Sequence, residues 1–202
     1  MFSYLSNRII QYAVKRDYIK EDEIAIRLYG LELFFTILLN DITVVFIGAV
    51  MHMTIEAIVF WLIYKALKKY TGGFHFDSSI ICYLSTVLLS IILLFLVKYC
   101  RFNSFIYSVI MLMDIGVLII LSPVPAVQKP LDEEEIKVFG IVARILVIIA
   151  SVAYFVLFMC GLSYAAKVVA LSVTAISMFA IAGKIKLTYH KRKTKNGNIS
   201  SN

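Results

Sequence analysis

The chain has 202 residues, of which 61% are hydrophobic and only 16% are charged. A transmembrane helix needs about 20 mainly apolar residues, so a mean hydropathy of +0.88 predicts an integral membrane protein and excludes a coiled coil, a disordered chain or a secreted disulfide scaffold. The formal net charge of +7 follows the positive-inside rule, and nucleic acid is not expected as a partner.

The first predicted element is an amphipathic interfacial helix within residues 1–27. Phe2, Leu5 and Ile9 recur at helical spacing opposite Arg8 and Lys15. This pattern is typical of a helix that lies in the membrane interface. The segment has no compact apolar core, so we do not expect a cleavable signal.

Six apolar runs follow, and they predict an all-α, polytopic membrane domain over residues 28–183. The second run is the weakest because it is short and carries Glu56 and Lys65 near its ends, so a tilted or re-entrant element is an alternative. Residues 184–202 are basic and polar and predict a mobile cytoplasmic tail near anionic headgroups. The six apolar runs cover roughly residues 31–51, 55–67, 79–97, 102–121, 139–160 and 163–182.

The basic residues predict the orientation of this domain. In a six-span arrangement, seventeen of the twenty Lys and Arg residues fall on one side, which the positive-inside rule assigns to the cytoplasm. We therefore expect a multi-pass protein of the cell membrane with both termini in the cytoplasm. The three prolines, Pro123, Pro125 and Pro130, fall in one connection on that side. An acidic run at 132–135 then suits the first turn of the next helix.

The connection between the second and third runs carries the residues with the clearest chemistry. Gly72 and Gly73 free the backbone to turn sharply, and Asp77 or Ser78 can cap the helix that follows. Cys82 then lies about one turn inside this helix, where the positive end of the helix dipole favours a thiolate. The sequence therefore predicts a reactive cysteine on the cytoplasmic side.

His75 is the candidate base for this cysteine. On a continuous helix, His75 and Cys82 would be about 10 Å apart along the axis, which is too far for a hydrogen bond. If the helix begins near Asp77, the glycine turn can fold the imidazole back towards the sulfur. A buried cysteine with an interfacial histidine is the alternative. Asp77 either orients His75 as a third catalytic member or only caps the helix.

Acidic residues in or near the spans are functional hypotheses by default. Glu32 and Glu56 are explained by hydrogen bonds between helices or by a position near the headgroups. Asp41 and Asp114 lie further inside the predicted spans, where they suit a peptide groove or a transport path.

The remaining cysteines, Cys100 and Cys160, have no histidine nearby and are predicted to pack. The chain has three cysteines and no CxxC pair. We therefore expect no disulfide framework and no metal site, and no cofactor.

The run Gly72-Gly73-Phe74-His75, followed by Cys82, resembles the signature of the accessory gene regulator protein B (AgrB) family. These are bacterial membrane endopeptidases that process quorum-sensing peptide precursors. Two further stretches resemble the family: Tyr29-Gly30-Leu31-Glu32, and Pro123-Val124 with Lys129-Pro130-Leu131. The resemblance therefore touches most of the chain in the expected order.

The chain departs from the family pattern at two places. It has Lys68 and Lys69 where an arginine is expected before the glycines, and Phe76 where an alanine is expected after the histidine. A lysine keeps the positive charge but loses the bidentate fork of arginine. Recognition of one specific carboxylate is therefore less well supported than the peptidase chemistry.

The resemblance implies a cysteine peptidase that cuts the C-terminal tail from a propeptide and promotes its cyclisation. Cys82 would form a thioester with the peptide, while His75 would transfer the protons. From the charge distribution we expect Lys68 and Lys69 to bind an acidic C-terminal tail of the propeptide. Glu32 and Asp41 are further candidates for substrate binding. Whether the chain forms a homodimer in the lipid bilayer stays open.

Two other classes of protein remain alternatives. A small transporter or permease is motivated by six spans with Asp41 and Asp114 in apolar surroundings. A membrane interaction subunit would carry no chemistry at all. Replacement of Cys82 separates these classes, because transport or scaffolding should survive it and peptide processing should not.

Overall fold

The computed structural model describes residues 2–16, 18–20, 23–74, 78–100, 103–125 and 132–199. Across these residues the secondary structure is helical, and the single β-type pairing there is one parallel bridge between Gly72 and Val124. The predicted all-α class is confirmed. The helices are α1 (Ser3–Lys15), α2 (Ile24–Val50), α3 (Thr54–Thr71), α4 (Ser79–Tyr99), α5 (Ser104–Leu121), α6 (Glu133–Met159) and α7 (Ser163–Ile199).

Four of these helices are long and apolar enough to cross a membrane, namely α2, α4, α6 and α7. The apolar part of α5 is shorter, Phe105–Leu121. Large apolar side chains such as Phe46, Leu88 and Ile148 are exposed around the helices, as expected when lipid surrounds a bundle. A helical membrane protein is therefore confirmed, whereas the predicted count of six spans is not. Two of the predicted spans are not among the four: α3, whose sequence contains Glu56 and Lys65, and the shorter α5.

The centre of the bundle is formed by α3 and α7. Phe60 and Leu67 of α3 and Val173 and Ile176 of α7 are buried, and α7 packs against α3, α4, α5 and α6. Burial of each such side chain contributes about 1.5–3 kcal/mol in water, while in lipid the same contacts act through close packing. The end of the bundle near the α3–α4 connection is therefore held by central helices.

Packing along α4 is uneven. The buried residues of α4 all lie in its second half: Ser90, Leu93, Leu94 and Val97. The first half is exposed or half-buried, including Cys82. The N-terminal turns of α4 therefore stand at the periphery of the bundle.

The helix starts agree with the local signals in the sequence. Asp132 accepts the N–H of Glu135 at 2.7 Å, and the Glu135 carboxylate accepts the N–H of Asp132 at 3.3 Å. This capping box, with three glutamates in the first turn, satisfies free N–H groups and suits the helix dipole. The predicted start of a helix at the acidic run is confirmed.

The two ends of the chain are also helical. Ser6 and Ile10 of α1 are buried, and α1 packs against α2. At the other end, α7 continues to Ile199 through the region predicted as a mobile tail. Residues 184–196 contain neither proline nor glycine, so nothing in the local sequence terminates the helix.

Candidate active site

Cys82 lies in the first turn of α4, as the sequence predicts. Ser78 occupies the N-cap position, although its side chain makes no capping hydrogen bond. The N–H of Cys82 donates to the Ser78 carbonyl at 3.0 Å, and the Cys82 side chain is exposed. A nucleophile needs this access, so the position suits the predicted role without testing it.

The predicted base, His75, lies outside the described residues. Phe76 and Asp77, the predicted cap or orienting residue, also lie outside them. The pairing of His75 with Cys82 therefore stays a prediction. The structure does describe the chain up to Phe74 on one side and from Ser78 on the other.

The glycine pair makes the sharp turn that the sequence predicts. Gly72 has a φ of 67° and Gly73 a φ of 104°, conformations that other residues rarely adopt. The N–H of Gly73 donates to the Val124 carbonyl at 3.0 Å, and the N–H of Val124 donates to the Thr71 carbonyl at 2.9 Å. The turn is therefore held by the proline-containing connection between α5 and α6.

Helix α7 holds the next residue of the same segment. The N–H of Phe74 donates to the Phe179 carbonyl at 2.9 Å. One helical turn further on, a Cβ added to Gly183 would lie 2.6 Å from both the Gly73 Cα and the Phe74 nitrogen. The missing side chain of Gly183 leaves the space in which this backbone lies.

Lys68 also contacts Phe74. Its Nζ donates to the Phe74 carbonyl at 2.9 Å and lies 4.4 Å from the ring centroid of Phe179. Burial lowers the pKa of Lys68 to about 8, and the electrostatic effect of the nearby Cys82 opposes this shift. Lys68 therefore links the end of α3 to the segment before His75 and lies near Cys82.

The neighbouring Lys69 is placed differently. Its side chain is exposed, and its Nζ lies 5.2 Å from the ring centroid of Tyr70. Because the ammonium itself is exposed, a contact of this kind holds it weakly, by about 0.5–1 kcal/mol. Of the two lysines predicted to bind a substrate tail, Lys69 is therefore the more available.

Asp41 has a protein partner in α3. One of its carboxylate oxygens accepts Lys65 Nζ at 2.8 Å and the other accepts the same nitrogen at 3.0 Å. The indole N–H of Trp61 also donates to Asp41, at 2.6 Å. Sequence reasoning missed both partners, although a lysine inside an apolar run was a signal that it has a partner.

Glu32 does not share a face of α2 with Asp41. Nine residues separate the two, which corresponds to about 14 Å along the helix axis and to opposite faces at about 100° per residue. The structure therefore does not bring these two predicted substrate residues together.

Asp114 lies at the interface of α5 and α7. It is buried and accepts a hydrogen bond of 2.6 Å from the hydroxyl of Thr174. The contact is a hydrogen bond between two helices, the role that the sequence analysis gave to Glu32 and Glu56.

The other cysteines lie away from this region. Cys100 follows the last residue of α4, about 27 Å from Cys82 along the helix axis, and is half-buried. Cys160 is exposed at the C-terminal end of α6, so the prediction that it packs is wrong. Within the described residues, no group of three or more His, Cys, Asp or Glu side chains could hold a metal ion.

Fold and site together define a polytopic helical membrane protein with an exposed cysteine at the start of a helix. Residues 6–182 match the model of the family described as accessory gene regulator B. The chain therefore belongs to this family. The family resemblance predicted from the glycine, histidine and cysteine spacing is confirmed.

Individual relatives agree with the family assignment. An AgrB-like protein of Clostridium perfringens (strain SM101 / Type A) is 30% identical over 116 residues, which cover 54% of each chain. Accessory gene regulator protein B of Staphylococcus aureus (strain MW2) is 23% identical over 138 residues, which cover 67% of this chain and 74% of that protein. The chain thus spans about half the length of the first relative. No solved structure matches it.

Proposed function

We propose that this protein is a membrane-embedded cysteine endopeptidase that processes a quorum-sensing propeptide. Cys82 is the nucleophile and His75 the general base. The observation that carries the proposal is the exposed thiol of Cys82 in the first turn of α4. The segment that leads towards His75 is held by hydrogen bonds at Gly73 and Phe74. A reactive thiol next to a fixed segment is what covalent catalysis requires.

The first half of the reaction is acyl transfer to the enzyme. His75 takes the proton of the Cys82 thiol, and the sulfur attacks the scissile carbonyl carbon of the propeptide. The C–S bond forms and the C–N bond breaks. His75 returns the proton to the leaving amine, so the C-terminal tail departs as a neutral amine and a thioester remains on Cys82.

The second half releases the product as a ring. A thiol or hydroxyl of the bound peptide attacks the thioester carbonyl and gives its proton to His75. The C–S bond to Cys82 breaks, and the thiolate regains the proton from His75. The product is a thiolactone or a lactone, according to the internal nucleophile. Exclusion of water at the membrane surface favours ring closure over hydrolysis.

The location of the reaction follows from the charges. In the predicted six-span arrangement, seventeen of the twenty Lys and Arg residues would lie on one side, and we assign that side, with Cys82, to the cytoplasm. There Lys69, exposed beside the site, contacts the acidic tail of the propeptide. Lys68 is already engaged by Phe74.

A transporter is less well supported by the same contacts. The two carboxylates that motivated a transporter already have partners in the protein. Asp41 accepts hydrogen bonds from Lys65 and Trp61, and Asp114 accepts one from Thr174. Such contacts join helices and leave less of each carboxylate for a transported ion.

The test is co-expression with the propeptide encoded beside the gene, with the products identified by mass. Cys82→Ala should abolish both the cleaved tail and the cyclic product, while Cys82→Ser should slow their formation strongly. Cys100→Ala and Cys160→Ala are the matched controls, and they should process normally at equal membrane abundance. Processing by Cys82→Ala would show that the chain is not a Cys82-dependent peptidase.

A further inference from the structure

We infer that Gly183 of α7 is a positioning residue of the peptidase, because it sets the place of the backbone that leads into His75. This inference rests on the proposed function and adds to it a residue of α7 that lies 101 positions after Cys82 in the sequence. Nothing in the local sequence of α7 links it to catalysis.

The first step is the hydrogen bonding of Phe74. Its N–H donates to the Phe179 carbonyl at 2.9 Å, and its own carbonyl accepts from Lys68 at 2.9 Å. The Phe179 carbonyl lies inside a helix, and it can accept a bond from Phe74 in addition to a helical bond because its oxygen has two lone pairs. Both main-chain polar groups of Phe74 are therefore held by central helices.

The second step is the close approach at Gly183. An added Cβ there would lie 2.6 Å from the Gly73 Cα and from the Phe74 nitrogen, against 3.4–4 Å in an ordinary contact. Both neighbours are main-chain atoms, which cannot rotate away as the end of a side chain can. A methyl group would therefore displace the segment by about 1 Å.

The third step is the comparison with other helical glycines of the chain. A glycine inside a helix is less favourable than an alanine, so its presence needs a reason. Gly116 of α5 and Gly30 of α2 have nothing within 4 Å of an added Cβ. Gly183 is buried against the backbone of Gly73, so close approach explains it.

The last step connects this contact to chemistry. Phe74 directly precedes His75, and consecutive Cα atoms are held about 3.8 Å apart. A displacement of Phe74 is therefore passed on to the residue proposed as the base. A misplacement of about 1 Å in a catalytic group can cost about a hundredfold in rate.

The experiment compares Gly183→Ala with Gly116→Ala in the purified full-length chain, reconstituted in lipid with the propeptide. We expect Gly183→Ala to lower kcat by about 10- to 100-fold with KM within about twofold of the native value. Amide hydrogen exchange over residues 72–74 should become faster. Gly116→Ala should match the native chain in all three measurements.

Two results would overturn the inference. One is a native kcat in Gly183→Ala. The other is a loss of activity that tracks only a rise in KM or a loss of folded protein, measured by thermal unfolding. If Gly183→Ala does not accumulate in the membrane, the positioning of Phe74 is tested with Lys68→Met and Lys68→Arg instead. The methionine variant loses the bond to the Phe74 carbonyl and should lower kcat, and the arginine variant keeps a donor and should restore it. An equal, native kcat in both variants would also count against the inference.

A Cys82→Ala preparation keeps the two proposals apart. If it still processes the propeptide, the proposed function is wrong whatever the glycine variants do. If it is inactive while Gly183→Ala is native in kcat and in hydrogen exchange, only the role of Gly183 is wrong.

Discussion

The ammonium group of Lys68 donates a hydrogen bond of 2.9 Å to the carbonyl oxygen of Phe74. This bond joins the end of α3 to the residue that precedes the proposed base. Lys68 also lies near Cys82, whose electrostatic effect favours the charged form of the lysine. One lysine therefore connects the backbone geometry of the site with its electrostatics.

The pH dependence of processing should report on Lys68. Burial lowers its pKa to about 8, so above that pH the native chain loses a positive charge near Cys82. Arginine stays protonated at any pH that a protein tolerates. We expect the processing rate of Lys68→Arg, divided by that of the native chain, to rise about three- to tenfold between pH 7 and pH 9.5.

Unfolding does not account for such a loss in the native chain. A lysine with a lowered pKa binds fewer protons in the folded state than in the unfolded state, so its contribution to the free energy of unfolding increases between about pH 8 and pH 10.5. Thermal unfolding at each pH provides the control. A rate ratio that stays constant over this range would contradict the assigned role of the Lys68 charge.

Lys69 should affect binding of the propeptide and not the chemical step. Among the described residues its exposed ammonium contacts the ring of Tyr70, so we expect it to pair with an acidic residue of the substrate tail. We expect Lys69→Gln to raise KM about two- to fivefold at unchanged kcat, the scale of one exposed ion pair. With a propeptide whose tail acids are changed to amides, native and variant chains should have the same KM. A kcat effect with either substrate would place Lys69 elsewhere in the mechanism.

Sidedness can be tested with two exposed cysteines. Cys82 lies at the start of α4 and Cys160 at the end of α6. Val124, which precedes α6, contacts Gly72 near the start of α4, and α6 has 27 residues, or about 40 Å. The two thiols should therefore lie near opposite membrane surfaces.

A charged maleimide that does not cross membranes measures this arrangement. In intact cells it should label Cys160 and spare Cys82, and in inside-out vesicles it should label Cys82. Single-cysteine variants make the assignment direct. Labelling of Cys82 in intact cells would reverse the proposed orientation.

The contact between Asp41 and Lys65 should stabilise the packing of α2 against α3. Its two partners are about 2.8 Å apart and half-exposed, with the Trp61 indole as a further donor. Asp41→Asn or Lys65→Gln alone should lower the unfolding temperature in lipid. The exchanged pair, Asp41→Lys with Lys65→Asp, should recover part of the loss. If the single variants unfold at the native temperature, the pair contributes nothing measurable, as is common for exposed ion pairs.

Local signals in the sequence predict most of the fold. Apolar length predicts the membrane helices, the acidic run predicts the start of α6, and the capping residues before Cys82 predict the start of α4. These features depend on neighbours within a few residues. The six-span count is not confirmed for two reasons. Helix α3 combines a buried, central position with Glu56 and Lys65, and the apolar part of α5 is short, so length and composition alone do not identify these two helices as spans.

The contacts around Phe74 could not be predicted in the same way. Gly73 meets Val124 across 51 residues and Gly183 across 110 residues, and neither separation leaves a periodic pattern. Gly183 in particular resembles any other helical glycine in the sequence. The Asp41–Lys65 pair was missed for a related reason, since each charge was judged on its own helix.

The final prediction concerns His75 as a general base. A dipole or a nearby lysine can stabilise charge on the sulfur, but neither can give a proton to the leaving amine. Glutamine retains much of the size and hydrogen bonding of histidine without its titration near neutral pH. We therefore expect His75→Gln to insert in the membrane and bind the propeptide, yet to lose turnover by about two or more orders of magnitude.

The measurement is the initial rate of tail release at equal membrane abundance, with His190→Gln of α7 as the control. A histidine with only a structural role would be largely replaced by glutamine, so a near-native rate would remove His75 from the mechanism and leave Cys82 without its base.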